Sequence, residues 1–177
     1  MPPTTNYSKY LGDLEPLATM RKNVERIRAR TAGWTKERFE RAYAPGKWTA
    51  RQILLHLAQT EMALGTRARM ALATPNYAAQ RFDQDAWVNR ETRMTGPEAL
   101  EALAAMSRMN RALFEGLSQA DREIAMAHPE YGSITVDWII HLLPGHQIHH
   151  LAQLETIAAA PAAMPSRGLG SRGEASA

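Results

Sequence analysis

Residues 136–159 read VDWIIHLLPGHQIHHLAQLETIAA, and this stretch decides the fold. It follows a capping residue, Thr135, and predicts one long helix ending near Ala159. Successive helical residues turn by ~100°, so positions four apart share a face. With His146 at zero, His150 falls roughly 40° away, Ile139 and Ile157 roughly 20°, Leu143 roughly 60° and Leu142 roughly −40°. Both histidines therefore point along the apolar stripe, toward the interior. His149 sits at its edge, roughly −60° away, and His141 on the opposite, solvated side. Pro144 removes one helical hydrogen bond and has Gly145 beside it, which predicts a kink before His146 or a helix that starts afresh at Gly145.

Working outward, the same periodicity recurs three times. A first long helix is predicted from about Leu14 to Thr31, capped by Asp13, with Leu17, Met20, Val24 and Ile27 inward and Gly33 beyond its end. A short turn over Lys36–Tyr43 follows. Thr49-Ala-Arg-Gln52 is a capping box that opens a second long helix, running to about Leu72. Pro75 to Asp85 reads as loop. Thr95-Gly-Pro-Glu98 opens a third helix to about Leu117, with a stripe of Leu100, Leu103, Met106, Leu113 and Leu117. A turn near Ser118–Glu123 and a loop or small extended piece, AHPEYGSIT, lead back to Thr135. Four long helices and scarce β-branched alternation predict an all-α four-helix bundle with a long irregular connection between the second and third. One domain over 1–160 and a disordered Pro-, Gly- and Ser-rich tail over 161–177 are expected.

Composition removes most other chemistry. The chain has 177 residues and no cysteine, which excludes disulfides, thiolate ligands and a Cys nucleophile. The formal charge is +3 and the pI about 9.4, a weak field for nucleic acid. The basic run Arg21–Arg30 is broken by Glu25 and apolar residues, and reads as a solvated helix face. No apolar run is long enough for a membrane span or a signal core, so a cytoplasmic protein that engages neither membrane nor nucleic acid is expected.

Two apparent nucleotide motifs fail on context. Gly168-Leu-Gly170-Ser-Arg-Gly173 spells GxGxxG but lacks a flanking strand and helix. Gly46-Lys47-Trp48-Thr49 resembles a P-loop ending, but the upstream glycine position is Arg41. A di-iron bundle would need paired Glu-x-x-His motifs, which the chain lacks.

The histidines carry the remaining chemistry. Two imidazoles at i and i+4 can chelate one divalent ion, and a third ligand must come from elsewhere. His56 interrupts the apolar run Ile53-Leu54-Leu55-His56-Leu57 on the second long helix and supplies a candidate. Burying three unpaired imidazoles is costly, and a shared metal removes that cost. The competing reading is a set of structural, hydrogen-bonded core histidines.

Three segments resemble the DinB/YfiT-like metal-binding four-helix proteins. Pro45-Gly46-Lys47-Trp48-Thr49 leading to His56 looks like the family's Trp-Ser/Thr lead into its first ligand helix. His146-x-x-x-His150-x-x-Gln153-Leu154 is similar to its HxxxHxxQ ending, and Phe82-Asp83-Gln-Asp85-Ala-Trp87 to its fDxxxW segment. The likeness spans about residues 8–158. It implies metal ligation by His56, His146 and His150, with His149 the alternative should the register slip by one, and Gln153 as support.

Three neutral imidazoles leave coordination positions open, the catalytic pattern. The resemblance implies a divalent ion (zinc, nickel, manganese or iron) that activates water or a low-molecular-weight thiol against a small electrophilic substrate. A thiol S-transferase-like or hydrolase-like enzyme is therefore expected. The alternative is a non-catalytic metal-binding, dimerising module, and the resemblance also implies a homodimer. Catalytic and thiol-binding residues are unassigned by the sequence. Glu61 lies ~140° from His56 around the helix and should miss the site. Asp83 and Asp85 could reach a pocket mouth only by loop folding, and Arg51, Arg67 and Arg69 are candidate anion anchors.

Overall fold

Capping residues set the helix starts where the sequence places them. Thr49 Oγ1 accepts from the Gln52 backbone N–H at 3.3 Å, and the Gln52 carboxamide accepts from the Thr49 N–H at 2.9 Å. Thr95 and Glu98 form the second such box, and Thr135 Oγ1 accepts from Trp138 N–H at 3.1 Å. The computed structural model describes residues 2–160. The tail expectation and the Gly168–Gly173 motif lie outside the described residues. Along the chain come α1 (Ser8–Leu11), α2 (Pro16–Thr31), α3 (Lys36–Phe39), α4 (Ala50–Ala73), α5 (Gln84–Arg90), α6 (Gly96–Glu115) and α7 (Gln119–Glu123). The hairpin β1 (Ala125–His128) and β2 (Gly132–Thr135) follows, pairing Ala125 with Thr135 and His128 with Gly132, and then α8 (Val136–Ala159). The four long helices α2, α4, α6 and α8 form the expected all-α four-helix bundle, and the hairpin is minor.

A polar belt crosses the bundle between two apolar cores. One core takes Leu17 and Met20 from α2, Leu64 and Ala68 from α4, Phe114 from α6 and Ile139, Ile140, Leu142 and Leu143 from α8. The other takes Ile27 from α2, Ile53–Leu55 from α4, Leu100 and Leu103 from α6, and Leu151, Leu154 and Ile157 from α8. Between them lie buried Asn23, His56, Gln59, Glu61, Ser107, Asn110, His146, Gln147 and His150.

The order of the cores along each helix gives its direction. α2 and α8 run from the first core to the second, whereas α4 and α6 run from the second to the first. Two parallel pairs are thus packed antiparallel to each other. Since α4 and α6 are parallel neighbours, their connection must return the length of the bundle, roughly 30 Å for a 20-residue helix. This is why the segment between them is long, and why it passes beside the site.

Several expectations are corrected. The first long helix starts at Pro16 and is capped by Glu15, whose carboxylate accepts from Leu17 and Ala18 N–H, and not by Asp13. A residue before proline is held extended, which makes it the natural cap. The reading of Pro75–Asp85 as loop ended too late and missed α5. Asp83 caps that helix by accepting from Ala86 N–H at 3.0 Å, with Phe82 packed edge-on against Trp87 at 4.8 Å as a hydrophobic staple.

On α6, Phe114 is fully buried while Met106 and Leu113, and Leu117 just beyond the helix end, are only partly so. Ser107 and Asn110 occupy that face because the polar belt does. α8 runs unbroken through Pro144, so no helix restarts at Gly145. The Pro144 carbonyl accepts from Asn23 Nδ2 at 3.1 Å, and a Cβ on Gly145 would lie 2.6 Å from the Tyr7 carbonyl oxygen, so glycine admits the chain beside α1. His141 is not solvated: it is mostly buried, with Nδ1 3.4 Å from the Asp137 carboxylate. The basic α2 face is exposed as expected, Arg28 pairing with Glu101 and Arg26 with Glu155. Among the described residues no helix is long and apolar enough to cross a membrane.

Candidate metal centre

α4 and α8 run antiparallel and carry the three candidate histidines to the same level of the belt. The His56 Nε2 lies 2.9 Å from His146 Nε2, which lies 3.0 Å from His150 Nε2. All three rings are buried. The Gln153 carboxamide oxygen accepts from His150 Nδ1 at 2.7 Å, so the His150 proton sits on Nδ1 and its Nε2 presents a lone pair. Burial, followed by the neighbouring imidazoles, holds His146 well below its ordinary 6.5 and lowers His56 to about 3. Burial lowers His150 to about 4 against the opposing Gln153 bond. At neutral pH the cluster is therefore three neutral imidazoles, the form that binds a metal.

The donor set fits a divalent ion. Tetrahedral ligands at ~2.0–2.1 Å have nitrogens roughly 3.3 Å apart. The two separations through His146 need to open by only a few tenths of an ångström, and all three ligand nitrogens lie within 4.8 Å of one another. Three Nε2 atoms facing one another can share protons for only part of their contacts, whereas one cation satisfies all three. The ring of His149 is directed elsewhere: its Nδ1 lies 3.0 Å from the Tyr10 hydroxyl, and its Nε2 lies 3.4 Å from Gln153 Nε2. One carboxamide thus orients His150 while facing His149. Trp48, from the segment that opens α4, covers the cluster with its ring 4.6 Å from His56 and stacked 6.3 Å from His150.

Two members of the cluster, His56 and His146, line an open cavity of about 450 Å³. His56, Thr60, Leu64 and Arg67 line one wall from α4, since roughly 0°, 40°, 80° and 20° of helical rotation put them on one face. The long connection contributes Arg81, Asp83 and Asp85, and the hairpin and its turn contribute His128, Glu130 and Tyr131. Backbone bonds between Ala79 and Ala127 (2.8 Å) and Ala127 and Tyr77 (3.1 Å) tie these two segments together. The Thr60 hydroxyl is buried without a protein partner, as are His56 Nδ1 and both amide atoms of Gln59.

Glu61 stays outside the site, as its position on the helix requires. Its carboxylate accepts from Asn110 Nδ2 and Gln147 Nε2, each at 2.7 Å, and burial raises it to about 7. Of the three candidate anion anchors, only Arg67 lines the cavity. Arg51 pairs with Glu40 at 3.0 Å, and Arg69 donates to Asn110 Oδ1 at 2.7 Å and to the Gly65 carbonyl. His128 was given no role by sequence reasoning. It lies outside every helix-face pattern, and only the hairpin brings it to the cavity. The buried Arg67 did leave a signal, because eleven residues return a helix to within roughly 20° of His56.

Fold and cluster together define a class of protein: a four-helix bundle whose antiparallel long helices present a three-histidine cluster able to hold a metal ion. The chain belongs to the DinB superfamily, whose family model matches residues 19–154. An Oceanobacillus iheyensis protein named "Putative metal-dependent hydrolase" is 26% identical over 151 residues, covering 85% of this chain and 84% of the relative. A Bacillus licheniformis protein of the same designation is 27% identical over 150 residues, covering 83% and 82%. Bacillus subtilis YfiT, described as "a probable metal-dependent hydrolase with an unusual four-helix bundle topology", shares the fold with a TM-score of 0.74 over 89% of each chain at 20% identity.

Proposed function

We propose that the protein is a metal-dependent enzyme of hydrolase type, in which His56, His146 and His150 hold a divalent ion at the base of the cavity. The observation that carries this reading is the gathering of three neutral, buried imidazoles whose ligand nitrogens lie within 4.8 Å of one another, two of them lining open space. A divalent ion held by three imidazoles polarises a substrate oxygen and lowers the pKa of a water it binds toward 7. The chain's own residues supply the rest. Gln153 fixes the orientation and tautomer of His150. Trp48 packs against the rings of His56 and His150 and holds them in place. The unpartnered Thr60 hydroxyl faces the same space and is available to a substrate or water.

The test combines metal content with turnover. Wild-type protein is expected to bind one zinc, nickel or manganese ion per chain and to hydrolyse members of a panel of small esters and amides. His56→Ala, His146→Ala and His150→Ala each lose both. Unchanged metal content in all three variants would refute the site. Full metal binding without hydrolysis, but with conjugation of a low-molecular-weight thiol to monochlorobimane, would replace hydrolase by thiol transferase. Metal binding without either reaction would favour a non-catalytic module.

A further inference from the structure

The cavity wall away from the histidine cluster holds a contact that the protein's own groups leave incomplete. His128 Nδ1 accepts from the backbone N–H groups of Glu130 at 3.1 Å and Tyr131 at 3.3 Å. Its lone pair is thereby fixed on Nδ1, and a neutral ring must carry its proton on Nε2. Facing that Nε2 at 3.1 Å is Nη1 of Arg67, a guanidinium that is always a donor. Two N–H groups are thus brought together without an acceptor between them. Arg67 is 7% exposed, and its other terminal nitrogen donates to the Gln80 carbonyl. Among the described residues no carboxylate lies within ion-pair distance of it. Glu130 acts on both groups from longer range, and its ion pair is made with Arg81 at 3.5 Å.

A buried cation beside a second donor, both lining an open cavity, is what an anion requires. We propose that Arg67 and His128 Nε2–H form a subsite that binds the carboxylate of a small monoanionic substrate, whose reacting group lies toward the histidine cluster. This names a substrate class and rests on the reading of the cavity as a hydrolytic site. Charge number follows from the wall: Asp83, Asp85 and Glu130 also line the cavity, so each negative charge beyond the one that Arg67 meets adds repulsion, and a single carboxylate is the better match. Length follows from α4. Thr60, beside the cluster, and Arg67 are separated by roughly 10 Å of helix axis, so the acid group stands several bonds from the bond that reacts.

The experiment is an NMR titration of the metal-free full chain with valerate, valeramide and inorganic phosphate, read at the His128 ring nitrogens and the Trp138 indole. Before any addition, the His128 nitrogen shifts should report the Nε2–H tautomer. Valerate is expected to bind and shift these signals, while valeramide and phosphate bind at least tenfold more weakly. Arg67→Gln should weaken valerate about tenfold or more, the effect of losing a charge-assisted hydrogen bond.

Circular dichroism establishes that this variant is folded. Should it not fold, Arg67→Lys retains a charge but loses the planar fork, and should bind valerate several-fold more weakly while still preferring it to valeramide. Equal binding of valerate and valeramide, tighter binding of phosphate, or an Arg67 variant with wild-type affinity would overturn the proposal. Because no metal is present, the titration is independent of the hydrolytic reading, which metal content and turnover of His146→Ala decide separately.

Discussion

Glu61 gives the most quantitative test of the polar belt. Its carboxyl is 1% exposed and lies among Asn110, Gln147 and Ser107. Burial raises it from an ordinary 4.5 to about 7, against hydrogen bonds that pull the other way. Below pH 4.5 the group is protonated in folded and unfolded chains alike and has no effect on stability. Between 4.5 and 7 the unfolded chain ionises while the folded one keeps its proton. The folded state therefore loses stability as pH rises through this window, at about 1.36 kcal/mol per pH unit, and the loss totals about 3 kcal/mol. Above 7 both states are ionised and the penalty is constant.

The buried histidines act in the opposite sense. Their folded values are depressed, so the stability they leave intact above 6.5 falls as the protein is acidified. Wild-type protein alone therefore shows a mixture of two trends. Glu61→Gln separates them, because both proteins carry the same histidines and the variant has no carboxyl at this position. Urea unfolding followed at 222 nm, with EDTA present and pH stepped from 4.5 to 8, gives both stability curves. The expected result is a wild-type-minus-variant difference that falls by about 3 kcal/mol from pH 4.5 to about 7.5 and is then flat. Two curves that stay parallel within about 0.5 kcal/mol would show that Glu61 titrates normally, and the argument from burial would be wrong.

Other perturbations address the cluster and its packing. Gln153→Leu removes the acceptor for His150 Nδ1 and should lower metal affinity about 10–100-fold in chelator competition, while the fold survives. His149→Ala should leave metal stoichiometry unchanged by elemental analysis, since that ring is directed to Tyr10 and Gln153. Gly65→Ala would place a Cβ 2.1 Å from Asn110 Oδ1, an atom already held by Arg69. Its thermal unfolding should show about 1–3 kcal/mol of destabilisation.

How much was legible in the sequence depended on whether the determinants were local. Capping boxes at Thr49 and Thr95, and the apolar faces of the long helices, are local, and the bundle followed from them. The i, i+4 spacing put His146 and His150 on one face for the same reason. The convergence of His56 with that pair had no local basis; its place in an apolar run made it a candidate, the resemblance selected it, and it needed α4 and α8 to meet. Residues placed by the crossover and hairpin were out of reach. Asp83 and Asp85 could be placed only conditionally, and His128 reaches the cavity through strand pairing that a four-residue alternation does not announce. The stripe read from the sequence leaves out Phe114 because Ser107 and Asn110 break the apolar periodicity where the belt crosses α6.

That belt also explains how a marginally stable fold tolerates such a site. Each buried polar atom without a partner costs about 1–3 kcal/mol, and His56 Nδ1, the Gln59 amide and the Thr60 hydroxyl all lie in this one layer. The cost is confined because the layer lies between two apolar cores, where fully buried side chains such as Met20, Phe114, Ile53 and Leu103 contribute about 1.5–3 kcal/mol each. The remaining belt residues are locked to one another. Asn23 reaches both Pro144 and Gln147, Gln147 reaches Glu61, and Glu61 reaches Asn110, so α2, α8, α4 and α6 are tied at the level of the histidines. Antiparallel α4 and α8 then bring His56 to His146 and His150 across 90 residues of sequence. Parallel α4 and α6 force the crossover that lays Asp83 and Asp85 along the same cavity. A ligand bound at a thousand times its dissociation constant would add about 4 kcal/mol to the folded state, comparable to the cost of a few such unpartnered groups. Metal binding and stability are therefore expected to be coupled in this layer, with the apolar cores on either side largely indifferent to it.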